Sequence, residues 1–148
     1  MLFDAPASLL DGLVSSGVDI ATFANNHGLD FGQEGLVDTL DAAEDPAIGL
    51  PLVGAGHDTA EAYSAFRVTR RGQRISILGA SRVTDGDLID DWTVADDRPG
   101  IAVAEDPTRL LEAVRAERAL ADTLIVYLHW GRERVTCPID DQPEMADA

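Results

Sequence analysis

The residues here whose types and spacing could do chemistry are few. Asn25, Asn26 and His27 stand at the end of the apolar run Ile20-Ala21-Thr22-Phe23-Ala24, and His129 stands at the end of Leu124-Ile125-Val126-Tyr127-Leu128. Neutral imidazole is a common ligand for transition metals, and an amide oxygen can complete a coordination sphere. Asp30 follows His27 by three residues and Glu133 follows His129 by four. Either acid could hold an imidazole in orientation from behind, as carboxylates do around metal-bound histidines; either could equally be one of many surface acids. Asn25 and Asn26 also suit a tight turn. Alone, His27 would read as a turn histidine and His129 as one packed on Trp130; two at strand exits read as a site. His57, after Gly54-Ala55-Gly56, reads as an exposed loop histidine.

The elements that must position these residues follow from periodicity. Val18–Ala24 and Thr123–Leu128 are apolar runs with no wet face, which predicts strands buried on both sides. In open α/β sheets the ligand site lies at the carboxyl ends of such strands, so residues far apart in sequence can share one rim. Helices are predicted for Pro6–Ser16, with Leu9, Leu10, Leu13 and Val14 in one stripe and Gly17 as cap; for Gln33–Glu44, ended by Asp45-Pro46; and for Thr108 to about Asp122. In that last helix Leu110, Val114 and Ala121 face inward and Glu112 and Arg115 can pair outside. Leu50–Val53 reads as a short strand. Tyr63–Thr69 and Arg74–Leu78 read as an antiparallel hairpin joined by Arg70-Arg71-Gly72-Gln73. Ser81–Pro99 has no period and reads as a long surface loop, and a helix start is expected after Pro143. The pattern is α/β in one domain.

Composition narrows the class. The 148 residues are 45% hydrophobic and only 5% aromatic, which predicts a packed, aliphatic core. Asp and Glu number 27 against 11 arginines and no lysine, a net charge of −16. That charge disfavours nucleic acid and anionic membrane surfaces. Cys137 is the single cysteine, so neither an internal disulfide nor a thiolate cluster is expected. No signal peptide and no run of ~18 apolar residues is present, so the chain reads as soluble with no direct membrane insertion; its compartment stays unknown. The lysine of a phosphate-binding loop, the Gly-x-Ser-x-Gly elbow and the dinucleotide Gly-x-Gly-x-x-Gly are absent.

The stretch Ala24-Asn25-Asn26-His27-Gly28-Leu29-Asp30-Phe31-Gly32-Gln33-Glu34-Gly35 resembles the Asn-Asn-His-x-x-Asp-x-Gly-x-x-Gly block of the CapA-type proteins. That family is linked to capsule and poly-γ-glutamate biosynthesis and related to calcineurin-like metallophosphoesterases. Val53-Gly54-Ala55-Gly56 with Glu61-Ala62 resembles its next segment, and Leu128-His129-Trp130-Gly131-Arg132-Glu133 its His-Trp-Gly-x-Glu block. The resemblance implies a four-layer sandwich, two sheets flanked by helices, with a metal centre at the strand ends. It implies Asn26 and His129 as ligands of divalent manganese, zinc or iron, and His27 as proton donor or charge stabiliser beside the substrate. A phosphoester or an anionic polymer is the implied partner. The family's early Gly-Asp and Asn-Leu-Glu motifs and its late Gly-His-His-Pro-His block are not found, so residues 1–148 are expected to be a partial domain, with too few ligands for a dinuclear centre and little activity of its own. Such a piece is expected to form oligomers or to bind a partner chain. The alternative is a non-catalytic binding module on the same fold, engaging through Ser81–Pro99.

Overall fold

The computed structural model describes residues 2–83, 86–139 and 141–148. The first helix, α1 (Ser8–Ser15), ends as predicted. Gly17 takes φ +89°, Val18 N–H reaches Leu13 O at 3.0 Å and Gly17 N–H reaches Val14 O at 2.9 Å. This paired closure satisfies carbonyls that a helix end would otherwise orphan. The predicted apolar stripe forms, but no α1 residue is buried; Leu9 is 51% exposed.

The strand expected over Val18–Ala24 is shorter. Strand β1 (Ala21–Thr22) pairs in parallel with β2 (Leu52–Val53) over two residues. The partner limits it. Pro51 has no N–H to give, and Gly54 turns the chain away at φ +84°. Backbone bonds from Ala21 N–H to Pro51 O and from Phe23 N–H to Val53 O carry the pairing just past both ends. Helix α2 (Gly32–Glu44) buries Leu36, Leu40 and Ala43. Next come β3 (Ala55–Gly56) and the short helix α3 (Thr59–Ala62), which Asp58 caps by accepting Glu61 N–H at 2.9 Å.

Strands β4 (Phe66–Arg70) and β5 (Gln73–Ser81) form the predicted hairpin. Arg71 (φ 53°) and Gly72 (φ 82°) both sit left-handed, the turn that matches the twist of two antiparallel strands. The segment expected as a surface loop folds inward instead. Ser81 ends β5. Ile89 and Trp92 of α4 (Ile89–Trp92) pack against the core under α2, Val94 is buried, and β6 (Gly100–Ile101) pairs antiparallel with β3. Scattered apolar residues anchor this segment without any regular period. Thr84 and Asp85, also in that span, lie outside the described residues. Helix α5 (Thr108–Arg118) is shorter than predicted, and β7 (Thr123–His129) lies parallel to β5. The last helix, α6 (Asp141–Asp147), starts before Pro143, which falls in its first turn where no N–H is needed.

Among the described residues the strands form three sheets, β1–β2, β3–β6 and β4–β5–β7, with helices packed against them. Leu36 and Leu40 of α2 pack with Ala55 and Ile101 of the β3–β6 pair. Leu110 of α5 packs with Leu78 and Ala80 of β5. The sheets meet at glycine. A Cβ on Gly79 would lie 2.8 Å from Thr22 Oγ1, and one on Gly54 would lie 2.6 Å from Ala24 Cβ. Strand β7, expected to be buried on both faces, has β5 as its one strand neighbour among the described residues. It leaves Ile125 and Tyr127 45% and 48% exposed.

The expected Glu112–Arg115 pair does not form among the described residues. The acid of α5 that is used is Glu117, 4% exposed, which accepts from Arg67 Nε at 2.9 Å, from Arg67 Nη2, and from Ser76 Oγ at 2.8 Å. The Arg67 guanidinium holds its carboxyl below the usual 4.5 against the opposing pull of burial. Arg67→Ala strands that carboxylate with Ser76 alone and costs about 1–3 kcal/mol in urea unfolding at neutral pH. A depressed folded pKa contributes stability in full above the unfolded value. The Arg67 contribution is therefore lost as pH falls below about 4.5 and through the lower folded value, and wild type and variant converge there. Asp122, held down to about 2 by Arg74, drains in the same direction at lower pH.

Candidate functional site

The chain leaves β1 through Phe23 and the fully buried Ala24, then turns. Asn25 builds the turn: its Oδ1 accepts His27 N–H at 2.8 Å. Gly28 keeps the turn tight, since a Cβ there would sit 2.9 Å from Ile101 Cγ2. The turn sends Asn26 and His27 in separate directions, each to its own partner.

His27 Nδ1 lies 3.0 Å from Asp30 Oδ2 and 3.2 Å from Oδ1. Asp30 accepts only, so Nδ1 carries the proton and Nε2 is the ring atom left for exchange. The Asp30 side chain is 7% exposed, and its Oδ2 also accepts Phe3 N–H at 2.8 Å. The Phe3 ring stands edge-on to the imidazole with centroids 4.5 Å apart. His27 opens onto a cleft of about 880 Å³ between the N-terminal segment, α1 and α2, lined by Phe3, Phe23, Phe31 and Leu36 with Glu34 and Asp38.

Asn26 meets His129 from the end of β7. Nε2 of His129 lies 3.1 Å from Oδ1 of Asn26, across 103 residues of sequence. Burial first, then the nearby His27, push the His129 pKa below 6.5, so at neutral pH it is an uncharged imidazole able to give a lone pair. At 3.1 Å the imidazole Nε2–H donates to the amide oxygen; with the ring proton on Nδ1 instead, the same separation lets both atoms face one ion at roughly 2.1 Å. The donor types and their spacing therefore suit a divalent cation. Two donors are fewer than the three protein ligands of a usual catalytic zinc site. Among the described residues no trio of His, Cys, Asp or Glu converges there.

Glu133 stands away from this pair; its side chain is 89% exposed and lies 3.7 Å from Arg134. His57, read as an exposed loop histidine, is half-buried and engaged. Its Nδ1 is 2.9 Å from Glu61 Oε2 and its Nε2 is 3.3 Å from Asp41 Oδ1. The i, i+4 spacing of His57 and Glu61 carried a signal for the first contact; nothing local pointed to Asp41.

The mixed α/β fold of this chain is metallophosphoesterase-like. Two solved nucleotidases share it. The NAD nucleotidase of Haemophilus influenzae matches with a TM-score of 0.56 at 15% identity, over 86% of this chain and 22% of that one. A Staphylococcus aureus protein assigned as a 5′-nucleotidase matches with a TM-score of 0.56 at 17% identity, over 86% and 24%. Within this class the chain belongs to the family of the bacterial capsule synthesis protein PGA_cap, whose family model matches residues 1–148. A Mycobacterium tuberculosis relative, named a probable polyglutamine synthesis accessory protein, is 34% identical over 76% of this chain and 30% of its own length. The PGA biosynthesis protein CapA of Bacillus subtilis is 31% identical over 84% and 31%. The capsule biosynthesis protein CapA of Bacillus anthracis is 28% identical over 90% and 32%. The chain thus spans about a third of the length of the curated relatives it matches. No helix among the described residues is long and apolar enough to cross a membrane.

Proposed function

We propose that the chain carries part of a metal-dependent phosphoester-type hydrolase centre that serves capsule or poly-γ-glutamate biosynthesis. The observation that carries this is the 3.1 Å approach of His129 Nε2 to Asn26 Oδ1, in a chain of the capsule synthesis family. In this reading Asn26 and His129 hold a divalent cation of the manganese, zinc or iron type. When bound, such an ion polarises a phosphoryl oxygen and lowers the pKa of water. His27 gives or takes a proton at Nε2 while Asp30 keeps the proton on Nδ1, and Asn25 fixes the turn that aims both groups. The cleft beside His27 is of a size that holds small ligands. A net charge of −16 opposes direct contact with a polyanion, so a phosphoester is the better substrate and the polymer the more remote partner.

A second reading, a non-catalytic binding module, is favoured by one observation: among the described residues two donors meet at the strand exits, and no trio of His, Cys, Asp or Glu joins them. In that reading the exposed apolar face of β7 takes a second copy or a partner chain. Hydrolysis of an aryl phosphate at saturating manganese separates the two. The hydrolase reading expects metal-dependent turnover that disappears in His129→Ala. Turnover unchanged by that substitution, or none in the wild type, favours the module.

A further inference from the structure

We propose that Glu44, His57 and Glu61 form a second divalent metal site, at the opposite end of α2 from His27. Three donor atoms, one from each residue, lie within 4.8 Å of one another. They come from two separate parts of the fold: Glu44 from the last turn of α2, His57 from the β3–α3 connection and Glu61 from α3 itself. Helix α2 is 13 residues long, so roughly 20 Å of helix separates this group from the turn that carries Asn26 and His27.

The group differs from the many acids of this surface in having an imidazole at its centre. With Nδ1 as the atom facing an ion, Nε2–H is left toward Asp41 Oδ1 at 3.3 Å. A metal-bound histidine ordinarily donates its other ring N–H to a carboxylate in this way. Glu61 is held before any ion arrives, because its Oε2 accepts His57 N–H at 2.8 Å. Charge argues in the same direction. Asp41, Glu44 and Glu61 surround a single imidazole, and one proton on that ring offsets only one of three negative charges. A divalent ion on the neutral ring offsets two. One nitrogen and two oxygens favour a borderline ion such as zinc over magnesium or calcium, which prefer oxygen alone. The site is partly open, so water would fill the remaining positions. A bound ion would pin α3 to the end of α2.

Calorimetric titration of the full chain with zinc chloride tests this, using the double variant Asn26→Ala/His129→Ala by itself and with His57→Ala or Glu44→Gln added. The expected result is a zinc isotherm in the double variant, weakened about 10-fold or more when His57→Ala or Glu44→Gln is added. Zinc should also raise the melting temperature of the double variant, and that rise should be lost when His57→Ala is added to it. Glu44 is exposed, so Glu44→Gln reports on the site even where His57→Ala fails to fold. Equal zinc affinity of the double variant with and without Glu44→Gln, or no zinc isotherm in the double variant, overturns the proposal. His57 is then a protonated clamp among surface acids.

Discussion

His27→Ala lowers metal-dependent turnover of an aryl phosphate by about 10²–10⁴-fold, the range lost with a general acid or base, and leaves metal affinity nearly unchanged. The separation of effects follows from the turn. Asn26 points to His129 while His27 points to Asp30, so the proposed ligand and the proposed proton-handling residue are neighbours in sequence with separate partners. The effect should fall on kcat with little change in KM, because an interaction made in the transition state is what is removed. Asp30→Asn keeps the shape but offers Nδ1 a weaker acceptor, and gives a smaller loss with an altered pH profile. A fall in metal affinity as large as the fall in turnover would make His27 a ligand and undo the division of roles.

Gly54→Ala destabilises the chain by about 3 kcal/mol or more and lowers metal affinity with it. Two costs combine. Gly54 sits at φ +84°, where a side chain costs roughly 1–2 kcal/mol. Its new Cβ would lie 2.6 Å from Ala24 Cβ and 2.9 Å from Gly79 O, and overpacking of this kind costs about 1–3 kcal/mol. In a domain of this size the melting temperature drops on the order of 10 °C. Ala24 is followed directly by Asn25 and Asn26, so pushing it aside moves the turn that aims the ligand. Gly12→Ala is the control. It lies within α1 with nothing near its added Cβ, and alanine there should be neutral or stabilising. A Gly54→Ala chain as stable as wild type would mean that the sheets do not meet as closely as described.

What could be read in the sequence was whatever is encoded locally. The Gly17 cap, the Arg71-Gly72 turn, the amphipathic α2 and the three-residue step from His27 to Asp30 each need only a few neighbouring residues, and each is present. What could not be read depends on partners distant in sequence. The short β1 is set by Pro51 and Gly54 on the strand beside it, not by its own apolar run. The segment around Ile89 and Trp92 looks like a loop because its anchors are irregularly spaced. Glu117 looks like a surface acid until Arg67 and Ser76 are brought beneath it. Within the site, the strand-exit positions of His27 and His129 were legible. The contact of Asn26 with His129 followed only from the family resemblance and the folded geometry. Glu133, four residues past His129, stays in solvent.

The most direct measurement is manganese titration of the histidine ring resonances in a His57→Ala chain, which removes the second proposed site. Ring protons of His129 should broaden at the first additions, and Asn26→Ala should delay that broadening to higher metal. Broadening that spreads evenly over the surface acids and spares His129 would contradict a cation held between Nε2 of His129 and Oδ1 of Asn26.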